Sequence, residues 1–565
     1  MASHNTVKKM DGLPDGEPTL VRTRIPSLQE IGQSQLVEEM IEATTPREAI
    51  SLSLNQPVQS DSLSKQVAKN LVIQSIGKVY GYATAILTIA FTTSVLSVSR
   101  FGDYSIVVIY LSFISTIAEA GVLIVGVREA AKYPENFDKI LSTSFALKAF
   151  FAIIAFIFGI GAIFFFPYTT EVKIGVIIYG FSWFFLALCS IFDMVFQLRQ
   201  QPRYPTLSEF ALKTAIFIGT FTTYIVATKL QYSNQQVLFF IIIGTYSLAN
   251  IAMGLVKCFG GFSQVRIHLK TLDWSYMKYL LLLSIPMGIN NVLGQIHFKA
   301  DAILLSILKV NDTTQVAVYN FAYRIIEILF IFFVLFVSML FPIIAQYSNT
   351  SGEEFRKAIR RMLDSGIFLS LPIMTGIILL APDIVNALSN GKYALSAYPL
   401  QILSVGVVFM FINMLNNLII IVDNKQKNLI WISVIVIIAN LSLNFYVIPI
   451  YSYNGSAFAT DITEGLGMLS TFFIVYRSHR VFPSGTNTLK VFCGVISMAI
   501  AIIAFKSFIH FPSFLGLRFV AVSNLIVEGL VGIIVYLGLL FALRGVDSSL
   551  VGIVQRRLPF LVKKP

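Results

Sequence analysis

The sequence predicts an all-α polytopic membrane protein of about fourteen transmembrane helices: two parallel-repeat six-helix bundles followed by two C-terminal helices. Three observations carry that expectation. Charged residues make up 13% and hydrophobic residues 56% of the 565 positions, against about 25% charged in an ordinary soluble domain. Apolar runs of roughly 20 residues, the length that crosses a bilayer core, recur from Leu71 onward. A pattern that begins at Arg100 returns in the same orientation at Lys309.

The chain opens with about 65 polar residues, including "DGLPDGEP" and "SLNQPVQSDSLSK", too little apolar surface to offset the entropy of folding and no signal-peptide pattern. Within it, "IPSLQEIGQSQLVEEMIEA" sets Ile31, Val37, Met40 and Ile41 at helical spacing, which suits a short amphipathic helix and equally a segment without fixed structure. Helices are then expected near 70–97, 104–127, 140–166, 174–198, 206–228, 235–257 and 275–308. They continue near 314–346, 358–381, 395–422, 428–449, 454–476, 488–509 and 515–543. The domain reading is a cytoplasmic, largely disordered tail over 1–68, six-helix bundles over 69–270 and 271–480, and two extra helices with a basic tail over 481–565.

The net charge is +12. Because the tail holds about nine acids and six bases, roughly +15 belongs to the membrane part. Placing the tail in the cytoplasm gives the inner loops and C-terminal tail about 22 Lys and Arg, among them Arg128, Lys132, Arg356, Lys357, Arg360, Arg361, Arg556 and Arg557, and the outer loops about seven. Both termini are therefore expected inside a cell membrane. Short basic loops beside spans have a topogenic explanation, so no nucleic-acid partner is inferred.

No soluble domain interrupts the spans, and neither a phosphate-cradling glycine motif nor a nucleophile-and-base arrangement occurs, so an enzyme is not expected, and the residual alternative is a glycan-processing enzyme with a wholly intramembrane site. Cys189, Cys258 and Cys493 show no C-x-x-C or Cys/His spacing, which predicts no disulfide framework, zinc site or other cofactor.

In the repeat, each copy has a short turn, an early tyrosine (Tyr104, Tyr319), an apolar span and a polar turn with an acid before phenylalanine ("ENF", "EEF"). The separations Tyr104 to Phe137 and Tyr319 to Phe355 agree to within about three residues, and an interface between such halves is where transporters place a cavity.

The segments "FGDYSIVVIY" at 101–110, "EAGVLIVGVREAAK" at 119–132, "KADAILLSILKVNDTTQVAVYNFAYRIIEILFIF" at 299–332 and "IPIYSYNGSAFATDITE" at 448–464 resemble the multidrug/oligosaccharidyl-lipid/polysaccharide exporter superfamily, in particular its O-antigen-type polysaccharide flippases. Ser452 departs from a frequent glycine, and the long N-tail is no part of the pattern. The resemblance implies a V-shaped pair of bundles that opens a central cavity to alternate faces and moves a polyprenyl-pyrophosphate-linked oligosaccharide across the bilayer, with membrane lipids, a polysaccharide polymerase and glycosyltransferases as partners. Related substrates implied by the same fold are a peptidoglycan lipid precursor and a multidrug cation.

Such a transporter needs cations for the diphosphate and polar walls for the sugar. Lys299, Asp301, Arg324 and Glu327 lie at similar depth on neighbouring antiparallel helices. They form either a closed neutral quartet or a site in which Arg324 and Lys299 bind phosphate while Asp301 and Glu327 orient them. Lys78, Lys148 and Lys213, with Glu119, lie inside the cytoplasmic ends of their helices, where lysines either snorkel or draw in an anionic headgroup. The resulting pyrophosphate candidates are Arg324, Lys299, Lys78 and Lys148. Charge-partner or ion-coupling candidates are Asp301, Glu327, Glu119 and His297, the last because its titration range permits proton coupling. Asn290, Asn291, Asn320 and Asn416 are candidates for facing the glycan or for holding helices together. Asp461 and Glu464 await a lysine from another helix or a coupling ion. Pro286, with Gly288 and Gly294, marks a bend in a helix too long for a straight span.

Overall fold

The structure, a computed structural model, describes residues 60–265, 272–348, 352–508 and 517–543. The N-terminal tail before Ser60, with its candidate amphipathic helix, and the C-terminal basic tail lie outside the described residues. The elements of the first half are α1 (Ser60–Val95), α2 (Val98–Glu119), α3 (Val122–Lys132), α4 (Phe137–Ile163), α5 (Thr170–Cys189), α6 (Phe192–Leu198), α7 (Arg203–Lys229) and α8 (Gln235–Phe262). The second half has α9 (Trp274–Leu308), α10 (Thr313–Tyr347), α11 (Gly352–Ser389), α12 (Ala397–Val422) and α13 (Lys427–His479), followed by α14 (Gly485–Phe508) and α15 (Leu517–Ala542). The protein is a multi-pass, all-helical membrane protein, and 12 of these helical segments are long and apolar enough to cross a bilayer.

Three departures from the expected helix list have local causes. The second span is broken between α2 and α3, where Ala120 and Gly121 take left-handed φ values of 42° and 71°. The fourth is broken at Ser190 and Ile191, between α5 and α6. The two spans expected at 428–449 and 454–476 form a continuous α13 with a non-helical Ser452 (φ 52°, ψ −133°). That residue reverses the chain, because Asn440 Nδ2 on the first arm reaches Thr463 Oγ1 on the second at 3.4 Å. The N-termini carry side-chain caps: Ser97, Thr169, Asn234, Asp273 and Asp312 each accept from backbone N–H groups of the following turn.

Alternate helix ends gather Arg128, Lys132, Arg199, Arg203, Lys425, Lys427, Arg477 and Arg480 at one end of the molecule, the basic end. Helices α1–α8 form a first lobe and α10–α13 a second, joined by α9, which packs against both α2 and α13. The lobes meet through α2 on α10 and α1 on α11. Hydrogen bonds close that seam away from the basic end: Ser99 Oγ with Thr313 Oγ1 at 2.9 Å, Thr93 Oγ1 to the Leu388 carbonyl at 3.3 Å, and Lys392 Nζ to the Ser94 carbonyl at 2.6 Å. Gly102 makes the approach sterically feasible, since any Cβ there would collide with the Thr313 carbonyl. The break after α2 nests against the Pro286 region of α9: a Cβ built on Gly288 would lie 3.0 Å from the Ala120 carbonyl oxygen. Helices α14 and α15 attach to α11, where Lys506 pairs with Asp383 at 2.6 Å and Glu528 at 3.5 Å.

Candidate functional site

Arg324 sits in the seam between the lobes. Its guanidinium donates to the Tyr104 hydroxyl of α2 at 3.3 Å, with its Cζ 5.3 Å from that ring's centroid and 6.0 Å from the Phe101 ring. One turn further along α10, Glu327 pairs with Lys299 of α9, whose ammonium lies 5.4 Å from the Tyr323 ring. The pair keeps 21% (Lys299) and 38% (Glu327) of its side-chain surface exposed, so it borders open space rather than a sealed core. From the first lobe, Lys213 of α7 lies within electrostatic range of both Arg324 and Glu327. Half-buried Lys78 is on α1 three residues before Gly81, whose bare Cα faces the Lys213 stem. Glu209 of α7 is the nearer carboxylate to Lys213, so three cations and two carboxylates gather from α7, α9 and α10, leaving a net charge of one positive.

The fourth member of the expected quartet is elsewhere. Asp301 is buried inside the second lobe and accepts from Thr460 Oγ1 at 2.5 Å, Asn444 Nδ2 at 2.6 Å and the Tyr319 hydroxyl at 3.1 Å. Its charge is met by dipoles from α10 and both arms of α13 rather than by Arg324 or Lys299. The closed-quartet reading therefore fails. Asp301 and Arg324 share a depth but not a helix face.

Beside Asp301, a cavity of about 260 Å³ lies within the second lobe, lined among others by Asn290, His297, Asn413, Asn417, Glu464 and Thr471. His297 Nε2 meets Glu464 Oε1 at 2.9 Å, which supplies Glu464 with a histidine where a lysine was expected. Asp461 instead accepts the Gly406 backbone N–H at 3.1 Å.

Several expected site residues face no open space. Lys148 is 1% exposed, and its ammonium has no hydrogen-bond partner among the described residues. It is sealed within the first lobe, in electrostatic range of Glu119, Asp193 and Lys257, because α4 turns that face inward. Asn416 is fully buried and donates to Thr471 Oγ1 at 3.3 Å, tying α12 to α13. Asn320 bonds back to the Val316 carbonyl of its own helix at 3.2 Å. Asn416 thus joins two helices, Asn320 is satisfied within its own, and both are buried. Asn291 is half-buried, Asn290 and Glu119 are exposed, and Pro286 lies inside a helix that continues through it. Sequence reasoning ranked Lys213 too low and missed Tyr104 as the partner of Arg324, although the repeat had already singled out that tyrosine.

A family profile described as "Polysaccharide biosynthesis protein" matches residues 67–348, and one described as MatE matches 286–447. The chain belongs to the multidrug/oligosaccharidyl-lipid/polysaccharide exporter superfamily, whose polysaccharide biosynthesis branch it matches over nearly half of its length. Among curated proteins it is 23% identical over 255 residues to the capsular polysaccharide biosynthesis protein CapF of Staphylococcus aureus, a match that covers 45% of this chain and 63% of that relative, under two thirds of its length. Among solved structures, the lipid II flippase MurJ in an inward closed conformation superposes with TM-score 0.66 and 18% identity, over 84% of this chain and 98% of that one. An inward-facing multidrug resistance transporter of the MATE family gives TM-score 0.59 and 14% identity, over 73% and 98%. At these identities the structural matches establish the fold of the superfamily member and nothing about its cargo.

Proposed function

We propose that this protein carries a polyprenyl-diphosphate-linked oligosaccharide from the basic, cytoplasmic face to the outer face by alternating access. What supports the reading is the gathering of Lys213, Lys299 and Arg324 from both lobes about a single half-exposed seam, where Glu209 and Glu327 offset them only in part. A diphosphate is the lipid headgroup that best matches several cations held at membrane depth, since charge-assisted hydrogen bonds to phosphate return the cost of desolvating them. A multidrug cation would meet repulsion in the same seam.

In this mechanism the headgroup enters past Lys78 and Lys213. It competes with Glu327 for Lys299 and with the Tyr104 hydroxyl for Arg324. Withdrawing Arg324 from Tyr104 removes a bond that ties the lobes together and favours opening of the far end. The lipid tail stays in the bilayer while the sugar passes between the lobes, and no covalent bond changes. An inside-negative potential assists outward movement of the anion by about 2.3 kcal/mol per charge per 100 mV. Coupling to an ion at Asp301 or at the His297–Glu464 pair, both termini in the cytoplasm, and a polymerase and glycosyltransferases as partners belong to the same proposal.

The test is reconstitution in vesicles with a fluorescent polyprenyl-diphosphate oligosaccharide on one leaflet. Transfer to the other leaflet, measured by quenching, is the expected result. Transport of a lipophilic cation with no transfer of the oligosaccharide lipid would overturn the reading. A peptidoglycan lipid precursor shares the diphosphate, so competition between the two lipids in the same vesicles separates them by glycan.

A further inference from the structure

Cys189 ends α5 and Cys258 lies about one turn from the end of α8. Their sulfurs are 2.8 Å apart. Two features bring them together. Gly254, one turn before Cys258, has no side chain, and a Cβ built there would lie 3.3 Å from the Cys189 sulfur and against the Phe185 ring. Lys257 of α8 pairs with Asp193 of α6 at 2.6 Å, which fixes the register of the helix that follows Cys189. The two thiols differ in access: Cys189 is 3% exposed, whereas Cys258 is half-buried. Among the described residues no cluster of three His, Cys, Asp or Glu side chains is placed to hold a metal. The third cysteine, Cys493 on α14, is exposed and belongs to a different part of the fold.

We propose that Cys189 and Cys258 are a redox modification site that closes to an intramolecular disulfide under a peroxide. The Cys258 thiolate attacks one peroxide oxygen, breaks the O–O bond and becomes a sulfenic acid as hydroxide leaves. The Cys189 sulfur then attacks the Cys258 sulfur and displaces the sulfenic oxygen as water. In sum two thiols and one hydrogen peroxide give one disulfide and two waters, with two electrons passing from sulfur to oxygen. The bond pins the break between α5 and α6 to α8, so the first lobe is stiffened at the joint that carries Asp193. The order of attack follows from access, the half-buried sulfur reacting first and the buried one resolving it.

The experiment uses the full-length protein in nanodiscs, reduced and then exposed to hydrogen peroxide, with thiols counted by maleimide-polyethylene glycol after denaturation and peptides mapped without reduction. The reduced protein labels at three cysteines and the oxidised protein at one, Cys493, with a peptide linking 189 to 258 that a reductant dissolves. Cys189→Ser leaves a sulfenic acid on Cys258 that dimedone traps, while the wild type gives little adduct. Three reactive thiols after peroxide, a linked peptide that contains Cys493, or equal dimedone labelling of wild type and Cys189→Ser would each overturn the proposal. Mapping on the wild type decides it even where a variant folds poorly.

Discussion

Tyr104 and Tyr319 are each the seventh residue of corresponding helices, α2 and α10, and both are buried, yet their hydroxyls serve different ends. Tyr104 receives Arg324 from the other lobe, and Tyr319 donates to Asp301 within its own. Aligned on those helices, Arg324 corresponds to Ile109 and Glu327 to Ser112. Aligned on the ends of α1 and α9, Lys299 corresponds to Ile86, Asp301 to Thr88 and His297 to Thr84. The first copy folds without any of these ions. The fold therefore does not require them, and their presence in one copy only is the asymmetry on which the proposed site rests, with Lys213 as the first lobe's contribution.

The largest expected effect tests the buried half of that contrast. Asp301→Ala removes the acceptor shared by Thr460, Asn444 and Tyr319; Thr460 and Asn444 keep the Ser456 and Asn440 carbonyls, but three hydrogen bonds to one carboxylate are lost at once, at about 3 kcal/mol. Thermal unfolding in detergent should fall well below wild type, with Asp301→Asn in between because it retains one acceptor. Unchanged melting of Asp301→Ala would mean that the second copy's ion is no more structural than Thr88.

Arg324→Gln probes the other role. A charge-assisted contact to phosphate is worth about 1.5–3 kcal/mol, so transfer of the diphosphate lipid should drop about tenfold to a hundredfold while the folded protein remains abundant. Loss of abundance with normal transfer per molecule would make Arg324 a structural residue. The two tyrosines then sharpen the comparison at smaller scale. Tyr319→Phe removes one of three donors to Asp301 and should cost about 1 kcal/mol of stability. Tyr104→Phe should leave unfolding nearly unchanged and shift the lobe equilibrium, read as faster crosslinking between cysteines placed at the far-end seam. Equal stability losses in the two variants would erase the distinction between them.

Much of this architecture was legible in the sequence because hydropathy and helix length act locally: the bilayer requires about 20 apolar residues wherever a span occurs. The duplication was legible for the same reason. Helix faces and lobe contacts were not. Depth along the helix placed Asp301 beside Arg324, but rotation about the helix axis decides partners, and two of the three donors to Asp301 come from residues more than 140 positions away on α13. Lys148 looked like Lys213, since both are lysines at similar depth. Packing of α4 buries the first, while α7 leaves the second half-exposed at the seam. The break after Glu119 had Gly121 as its one residue-type signal, whereas the break after Cys189 carried neither proline nor glycine.

The smallest predicted effect concerns the turn between the arms of α13, whose counterpart in the first lobe is the turn over residues 230–234 between α7 and α8. Ser452 holds φ at 52° with ψ at −133°, a conformation that costs a residue with a Cβ about 1–3 kcal/mol and glycine little. Its hydroxyl also donates to Gln315 Oε1 at 2.7 Å, a bond worth about 1 kcal/mol that fastens the turn to the start of α10. Ser452→Gly removes both terms, so its unfolding should match or slightly exceed wild type. Ser452→Ala keeps the strain and loses the bond, and should melt lower than either. If alanine and glycine behave alike, the backbone is unstrained and the hydroxyl alone matters. If serine is the most stable by a wide margin, the contact to Gln315 outweighs the strain and fastens the tip of the second lobe, as Gln235, accepting the Ser97 N–H at 2.7 Å, fastens that of the first.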